Sequence, residues 1–204
     1  MRVLVAPGLD LSPGSRAAAV AAALAGSEGR IVSLAALGVP ALTGRPLSQA
    51  EVALVREALA GDPQARSAAG AEAAPAGSPP VVGYVCEGRP LAATVRGTVI
   101  AVCDHAGLTW RSPLNGPNDD SVGPRFPRVD EVYVPHAVIE RVTGLPGVTI
   151  NSATVAGVRD QEHPSDWERQ MAGAVAIPAV STALVSVAII AAHMGARLAA
   201  AVLV

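Results

Sequence analysis

Residues 99–127 have the sequence VIAVCDHAGLTWRSPLNGPNDDSVGPRFP, in which a short apolar run is followed by a long polar segment. Val99–Val102 is β-branched at three of four positions, as is typical of a buried strand. The segment from Thr109 to Arg128 is rich in Pro, Gly, Asn and Asp, which favour turns. Loops of this length inside a compact domain usually carry function, so we predict a functional loop here.

Strands and helices alternate on the N-terminal side of this stretch. Apolar runs at Arg2–Ala6 and Ile31–Leu37 indicate strands, and Ser15–Ala25 is an alanine-rich helix pattern. Ser48 begins a second helix, because Glu51 lies three residues later and completes a capping-box pattern. The alternation predicts an α/β layered fold with a largely parallel sheet.

The C-terminal side continues with further strands and helices. Strands are predicted at Val81–Val85, Val148–Ile150 and Thr154–Val158. A helix is predicted at Val132–Val142, with Pro135 in its first turn.

The tail is almost continuously apolar, and the run Ala172–Ala192 reaches the length that spans a bilayer. It is interrupted by Gly173 and Pro178 and has no flanking charge cluster or aromatic belt. We therefore predict a buried strand, a core helix at Leu184–Ala192 and a second buried strand at Arg197–Val204, with no membrane span.

The chain of 204 residues is expected to form a single domain over residues 1–204. The segment Gly61–Pro80 holds Gly, Pro, Ala and Ser with almost no large apolar side chain. Such a segment cannot offset the entropy of ordering, so a mobile surface loop is predicted there.

The charge pattern excludes several classes of partner. The net charge is -2 and the sequence pI about 6.1, so no basic footprint indicates nucleic acid or an anionic membrane. All 15 basic residues are arginines, which excludes Schiff-base chemistry on lysine. The mean hydropathy of +0.40 favours a further apolar surface that another subunit covers.

Two cysteines, Cys86 and Cys103, lie on apolar, strand-like segments. A buried reduced pair and a disulfide are the two alternatives; we expect both cysteines to be buried and reduced, which fits a cytoplasmic protein. No zinc-type spacing occurs, and we predict neither a metal nor a cofactor.

Three motifs carry a family resemblance: Asp104–Leu108, Ser112–Asp120 and Gly123–Pro127. Together they resemble the signature "DHxNL…SPLxGPND…GPRFP" of trimeric purine nucleoside phosphorylases. The resemblance continues more weakly over Val81–Val204 and is nearly absent before Val81. It implies the nucleoside phosphorylase fold, a layered αβα architecture around a central mixed, mostly parallel sheet. It also implies a small-molecule pocket in a homotrimer.

Phe126, the single Phe of the chain, matches the family phenylalanine that reaches into the nucleoside pocket of the neighbouring subunit. It is therefore a candidate ligand contact shared between subunits. The alternative is an aromatic anchor that packs the loop against a subunit without touching a ligand.

The segment Gln161–Asp166 resembles the family's purine-reading "YETPAE" segment. Glu162 falls on the glutamate that holds the purine edge and favours protonation of the leaving base, a task suited to a partly desolvated carboxylate. Gln161 replaces the flanking aromatic, and His163 follows in the same loop. Glu162 and His163 are the candidate catalytic residues, and Gln161 is a candidate ligand contact. The alternative is that Glu162 belongs to an ordinary polar loop before a helix.

Several residues that the family uses are replaced. The motif "AVGMSTVPE" corresponds to Ala174–Thr182, where Ile177 replaces the sugar-packing Met, Pro178 the phosphate-touching Ser and Thr182 the Glu. Ile177 and Thr182 remain candidate ligand contacts. The sequence reaches Val204 where the family's "TN" pair would follow, so we expect the catalytic asparagine to be missing.

The phosphate turn "NAAGG" corresponds to Val85–Arg89. Within it Glu87 would repel a bound phosphate, and Cys86 and the preceding Tyr84 are candidate ligand contacts. The resemblance offers no "GSG" phosphate loop, since Ala6–Gly8 is a poor substitute, and no "GRxHxYEG" segment. Losing one preorganised donor typically costs a hundred- to thousandfold in rate, so ordinary phosphorolysis is not expected.

Three functions follow from these replacements. The leading hypothesis is a repurposed enzyme that acts on a non-nucleoside, hydrophobic secondary metabolite by acid–base or shape-directed catalysis. The second is a non-catalytic subunit that binds purines or nucleosides or assembles with an active homologue. The third is an active phosphorylase with an altered site.

Other polar residues are expected to have structural roles. Asp104 and His105 are adjacent on a strand and point to opposite faces, which argues against a dyad. His136 is expected on a helix surface, and His193 at a helix end, where a cation suits the dipole. Asn118–Asp120 is expected to form turns.

Overall fold

The computed structural model describes residues 1–27, 29–39, 47–61, 79–109 and 112–204. Within these ranges the strands are β1 Val3–Val5, β2 Ile31–Ser33, β3 Val81–Glu87, β4 Arg89–Pro90, β5 Val99–Gly107, β6 Ile150–Gly157, β7 Ala179–Ser181 and β8 Arg197–Leu203. The helices are α1 Arg16–Ala25, α2 Gln49–Ala60, α3 Pro135–Val142, α4 Asp166–Ala174 and α5 Leu184–His193, with a short 3-10 turn at Ala93–Val95.

The strands of the described residues form one sheet in the order β2-β1-β3-β8-β5-β6-β7-β4. Neighbouring strands are parallel except in the pairs β5–β8 and β4–β7, which are antiparallel. The predicted α/β fold with a mixed, mostly parallel sheet is therefore confirmed.

The sheet closes on itself at one residue, Gly88. β3 pairs with β8, whereas β4, which begins one residue after β3 ends, pairs with β7 at the other side of the sheet. A Cβ atom on Gly88 would lie 2.6 Å from the Val202 Cγ1 atom and 2.9 Å from the Val180 carbonyl oxygen. Only a residue without a side chain fits between these two strands, so Gly88 permits the closure.

The sheet buries both of its faces, and helices cover each one. On one face α2 and α5 pack on a core that includes Tyr84, Ile100 and Val202. On the other face α1 and α3 pack on Val85 and Ala199 among others. Strands that are covered on both faces are almost continuously apolar, as β3 and β8 are. Because β8 lies in the C-terminal tail, this burial accounts for part of the tail's high hydropathy.

Caps define where the helices begin. The Ser15 hydroxyl accepts from the Ala18 N–H at the start of α1. The predicted capping box is confirmed in α2, and a second one at α4 joins Ser165 to Glu168.

Several element boundaries differ from the predictions. β2 ends at Ser33 because the chain then turns and buries Leu34. Val132–Val134 is not helical, since Tyr133 bridges to Leu198 of β8 and the helix begins only at Pro135. The two strands predicted between 148 and 158 form the single strand β6.

The apolar tail forms β7, α5 and β8 as predicted, and all three are largely buried. No helix among the described residues is long and apolar enough to cross a membrane. Of the predicted mobile loop at 61–80, residues 62–78 lie outside the described residues.

The expectation that both cysteines are buried is wrong for Cys103. Cys86 is buried and Cys103 is exposed, and both are free thiols. The register of β5 against β6 shifts between Val102 and Asp104, so a bulge at Cys103 changes the side to which its side chain points.

Candidate ligand-binding cleft

A cleft of about 420 Å³ opens at the carboxyl ends of β3 and β8. Parallel strands of an α/β sheet commonly bind ligands at this edge. Its lining residues come from separate parts of the chain: Leu9, Asp10, Ser15–Ala17, Glu87–Pro90, Arg96, Gln161, Glu162, Leu203 and Val204. An adjoining recess of about 390 Å³ shares Arg89, Arg96, Gln161 and Glu162 with it.

The cleft is lined by segments that the sequence analysis aligned with separate motifs of the family. The loop after β1 contributes Asp10, close in sequence to Ala6–Gly8, and the counterpart of the phosphate turn contributes Glu87 and Arg89. The counterpart of the purine-reading segment contributes Gln161 and Glu162. These segments lie far apart in the sequence and line one cleft in the folded chain.

Arg89 and Glu162 form an ion pair across the cleft. Their side chains are about half exposed, at 53% and 45% respectively. Arg89 is fixed on β4, and the Glu162 backbone N–H donates to the Asp160 carboxylate at 2.9 Å. The carboxylate aligned with the purine-reading glutamate is therefore engaged by a guanidinium at a position where the family has a glycine.

Gln161 links the cleft wall to the turn before α5. Its side-chain oxygen accepts from the Thr182 N–H at 3.0 Å and from the Thr182 hydroxyl at 3.2 Å. Two residues that the sequence proposed as ligand contacts are thus in direct contact with each other, and Gln161 also lines the cleft.

The remaining charged side chains of the cleft differ in whether they already have a hydrogen-bond partner. The Asp10 carboxylate accepts from the N–H and hydroxyl of Ser12, which holds its pKa below the ordinary value. Arg16 donates from Nη2 to the Val204 carbonyl oxygen at 3.2 Å. Within the part of the chain that the structure describes, the side chains of Arg96 and Glu87 have no hydrogen-bond or ion-pair partner.

The lining therefore carries three guanidinium groups and three carboxylates. Arg89 stood inside a quoted motif, but its contact with Glu162 could not be recognised from the sequence. Arg16 and Arg96 carried no local signal that they would face the same space.

Three of the proposed ligand contacts lie in the core instead of the cleft. Tyr84 is fully buried and its hydroxyl donates to the Ala183 carbonyl oxygen at 3.2 Å. Cys86 is fully buried 3.8 Å from the Ser181 hydroxyl oxygen, and burial raises the pKa of its thiol to about 12. Ile177 is 6% exposed and packs with Ala172.

The two remaining candidates point to solvent. The His163 ring is exposed, with Nδ1 3.4 Å from the Asp160 carboxylate, and it does not line the cleft. Glu162 and His163 are therefore adjacent in sequence without facing the cleft together. Phe126 is 88% exposed, as a contact with another subunit would require.

The histidines expected to have structural roles are mostly in polar contacts. The Asp104 carboxylate accepts from the His105 backbone N–H, and the His105 ring instead lies 2.9 Å from the Tyr133 hydroxyl. This arrangement agrees with the prediction that Asp104 and His105 are not a dyad. His136 is exposed on α3, as predicted.

His193 is not the cationic helix cap that its position at a helix end indicated. Its side chain is 1% exposed, with Nε2 3.2 Å from the Asn118 side-chain oxygen and Nδ1 3.5 Å from Arg56 Nη2. Burial, followed by the charge of Arg56, lowers the pKa of His193. The histidine therefore anchors the long loop to α5 from inside the molecule.

No cluster of three or more His, Cys, Asp or Glu residues with metal-binding geometry occurs among the described residues.

Comparison with solved structures identifies the architecture. A Schistosoma purine nucleoside phosphorylase in complex with hypoxanthine superposes with a TM-score of 0.52 and 20% identity, over 60% of this chain and 48% of that one. The chain has the fold of the purine nucleoside phosphorylases.

Two further structures give the same result. Isoform 2 from Schistosoma mansoni, in complex with cytosine and ribose-1-phosphate, matches with a TM-score of 0.52 and 21% identity, over 61% of this chain and 46% of that one. The S. mansoni enzyme in complex with BCX-34 matches at 0.53 and 20% identity, over 61% and 50%.

The chain spans about half the length of the solved structures it matches. Neither a family model nor a curated protein matches the sequence. The likeness to the solved structures therefore concerns the fold.

Proposed function

We propose that this chain is a divergent relative of the purine nucleoside phosphorylases that binds a small molecule in the cleft without ordinary phosphorolysis. The observation that carries the proposal is the ion pair between Arg89 and Glu162. A glutamate that reads a purine edge must be free to accept from the base, whereas Glu162 is held by a cation at the phosphate-turn position. The replacements Pro178 and Thr182 in a further ligand motif support the same proposal.

The lining also bears on the ligand class. The sequence predicted a hydrophobic metabolite, but a cleft with three guanidiniums and three carboxylates would leave these groups desolvated against an apolar ligand. We therefore propose a polar, non-nucleoside substrate. On this proposal, Glu162 acts as the acid–base group once the substrate has displaced it from Arg89.

A phosphorolysis assay tests the loss of the ancestral reaction. The purified chain is incubated with inosine, guanosine or adenosine and phosphate, and free base is quantified by chromatography beside an active trimeric phosphorylase. Because several preorganised groups are replaced together, we expect base release at least about a thousandfold slower than in that control enzyme. Release at a comparable rate would contradict the proposal.

A second candidate is binding without catalysis. The observation that favours it is the position of His163, which leaves Glu162 without a histidine partner in the cleft. Thermal-shift screening with purines, nucleosides and polar metabolites distinguishes the two candidates, since a ligand at a hundredfold its Kd stabilises by about 2.7 kcal/mol. Purines that stabilise the chain without being turned over would favour the binding role.

We further propose a homotrimer located in the cytoplasm. The exposed Phe126 supports assembly, as does an apolar stripe formed by Trp167 and Met171 of α4 and the following Val175, which are 53%, 43% and 65% exposed. Exposed apolar stripes of this kind commonly mark interfaces. Light scattering should give a trimer for the wild type and a smaller species for Phe126→Ala, with His136→Ala unchanged as control. A monomer at all concentrations would contradict this proposal.

A further inference from the structure

We propose that Arg56, His193 and Asn118 form a pH-sensitive latch, in which neutral His193 holds the long loop over residues 112–128 against α2 and α5 and protonated His193 releases it. The loop carries Phe126, the candidate contact with another subunit. None of the three latch residues lines the cleft or its adjoining recess. The latch therefore acts on the loop whatever ligand the cleft binds.

The loop buries little of its own surface. Of residues 112–128, all of which the structure describes, Pro113 is the single buried one. The contact of the loop with the start of α2 is exposed, where the Gln49 side-chain nitrogen donates to the Asn115 carbonyl oxygen at 2.5 Å. Exposed hydrogen bonds contribute only modestly to stability, because water competes for the same groups. The position of the loop therefore depends on its contacts with buried groups, among which His193 is central.

His193 contacts the loop through both its ring and its backbone. The ring nitrogen Nε2 lies 3.2 Å from the Asn118 side-chain oxygen. The Asn118 side-chain nitrogen donates to the Gly123 carbonyl oxygen at 3.0 Å and to the Asp120 carboxylate at 2.7 Å, which fixes the orientation of the amide. A Cβ atom on Gly123 would collide with the His193 carbonyl oxygen, so the loop backbone lies directly on the end of α5. One histidine thus contacts two points of the loop.

The partners of the His193 ring determine its protonation state. A guanidinium can only donate, so Nδ1 of His193, which lies 3.5 Å from Nη2 of Arg56, accepts and carries no proton. Nε2 then carries the single proton of the neutral ring and donates it to the Asn118 oxygen. A second proton would direct an N–H and a positive charge at the guanidinium of Arg56. The attached loop is therefore compatible with the neutral ring alone.

Charged groups face the ring from α2 and from the loop, and α5 has no other ionisable side chain. Burial and the charge of Arg56 oppose the second proton, whereas Asp119 and the Gly123 backbone favour it. The Asp119 carboxylate is exposed and already accepts from the Ser121 hydroxyl, so its attraction is screened. The net result is a His193 pKa below the ordinary histidine value of about 6.5.

The direction of the pH effect follows from this lowered pKa. Attachment of the loop is fully favoured above the pKa of a solvated histidine, and it is lost as pH falls through the lower pKa of His193 in the attached state. The Nε–H of Arg56 is buried without a hydrogen-bond partner among the described residues, so this cation is itself incompletely satisfied. A second cation beside Arg56 is relieved when the loop departs and water reaches both groups.

The single Phe of the chain provides a specific reporter of the loop. Incorporation of 4-fluorophenylalanine places one ¹⁹F nucleus in the protein, at Phe126. The ¹⁹F spectrum is recorded from pH 7.5 to pH 5, together with the ¹H–¹³C resonances of the histidine rings. Hydrogen exchange, corrected for the intrinsic rate at each pH, is measured at the amides of residues 121–123 and of β3.

Three variants accompany the wild type. His193→Gln stays neutral, and its amide can accept from Arg56 and donate to Asn118. Arg56→Gln removes the cation that faces the ring. His136→Gln is the matched control, because His136 is exposed on α3.

In the wild type and in His136→Gln, we expect exchange at residues 121–123 to become faster by on the order of tenfold between pH 7.5 and pH 5.5. This is the size that a single proton produces one pH unit below the pKa of the released histidine. The ¹⁹F resonance should shift over the same range as the His193 ring. The amides of β3 should remain protected, which separates release of the loop from unfolding.

The two latch variants should differ from this pattern in opposite details. His193→Gln should keep the ¹⁹F spectrum and the loop exchange of pH 7.5 down to pH 5.5. In Arg56→Gln the His193 ring should titrate at higher pH, yet the loop response should be smaller, because the second proton no longer meets a guanidinium.

Three results overturn the latch. The first is a loop whose ¹⁹F spectrum and amide exchange stay unchanged down to pH 5, whether or not the His193 ring gains a proton. The second is a wild-type pH response in His193→Gln or, if that variant does not fold, in Arg56→Gln. The third is loss of β3 protection together with that of the loop, since the loop would then leave only when the whole domain unfolds.

Discussion

Gly88 and Arg89 are neighbours with opposite roles, because Gly88 has no side chain where Val202 of β8 and Val180 of β7 come close, and Arg89 lines the cleft with its guanidinium. Closure of the sheet and the charge of the cleft therefore depend on two adjacent positions.

At Gly88 a methyl group should be costly. Gly88→Ala places a Cβ atom 2.6 Å from Val202 and 2.9 Å from the Val180 carbonyl oxygen, and neither neighbour is a flexible chain end. We expect a loss of about 1–3 kcal/mol in the free energy of unfolding, measured by urea denaturation. Gly173→Ala is the control, since its Cβ would meet nothing within 4 Å and a helical Ala should stabilise slightly. Equal stability of the two variants would contradict a tight closure.

The two thiols should react very differently. Cys86 is fully buried and its pKa is raised to about 12, whereas Cys103 is exposed. At pH 8 a disulfide reagent should modify one thiol rapidly in the native protein and two after denaturation in guanidinium chloride. Cys103→Ser should abolish the rapid phase. Two rapid thiols in the native wild type would refute the burial of Cys86.

At the scale of elements, α4 differs from the other helices in how little it buries. Ala172 is its single buried residue, while Trp167, Met171 and the following Val175 are exposed. A helix with so few packing contacts depends more on local interactions, and the capping box between Ser165 and Glu168 supplies them.

Removing that cap should loosen α4 selectively. Ser165→Ala should cost about 1 kcal/mol, because it leaves the Glu168 N–H without its hydroxyl acceptor. Hydrogen exchange should become faster at the amides of residues 166–170 and remain unchanged in β3 and β8. Ser27→Ala, at an exposed serine outside the helices, serves as control. Uniform exchange rates in wild type and variant would show that the cap does not support the helix.

The elements also show how boundaries depend on contacts that local patterns do not reveal. Val132–Val134 was included in the predicted helix but remains extended, because Tyr133 bridges to Leu198 and the Tyr133 hydroxyl reaches His105. β3 and β5 extend beyond the predicted ends because β8 and β6 supply pairing partners there.

For the whole molecule, two histidines should make stability depend on pH. Burial lowers the pKa of His105 and of His193 below the ordinary histidine value of about 6.5. The unfolded chain therefore binds more protons than the native protein just below pH 6.5, and the free energy of unfolding rises with pH in that window. The contribution of the two neutral histidines to stability is fully present above the histidine pKa of the unfolded chain. It is lost as pH falls toward the lower pKa values of the native protein.

Denaturation at pH 7, 6 and 5 measures this effect. We expect the free energy of unfolding to decrease on acidification and the decrease to be smaller in His193→Gln. The ring of His193 accepts from Arg56 and faces the Asn118 oxygen, so a second ring proton would point at a guanidinium. His136→Gln is the control, because His136 is exposed. An unchanged slope in His193→Gln would contradict a buried neutral histidine.

The sequence by itself determined the α/β class, the strand–helix alternation, the apolar tail as β7, α5 and β8, and the motif resemblance that the fold comparison bears out. These features depend on periodicity and on short contiguous motifs, which require no knowledge of distant contacts. The position of Glu162 in a polar loop was likewise readable from its neighbours in the chain.

Only the tertiary structure decided which side chains share a space. Packing of the elements placed Tyr84 and Cys86 in the core, and it gathered Arg16 of α1, Arg89 of β4 and Arg96 around one cleft. Local sequence patterns specify which face a residue takes within its own element. The distance between residues far apart in the chain is set by the packing of whole elements, and the charge of the cleft depends on that packing.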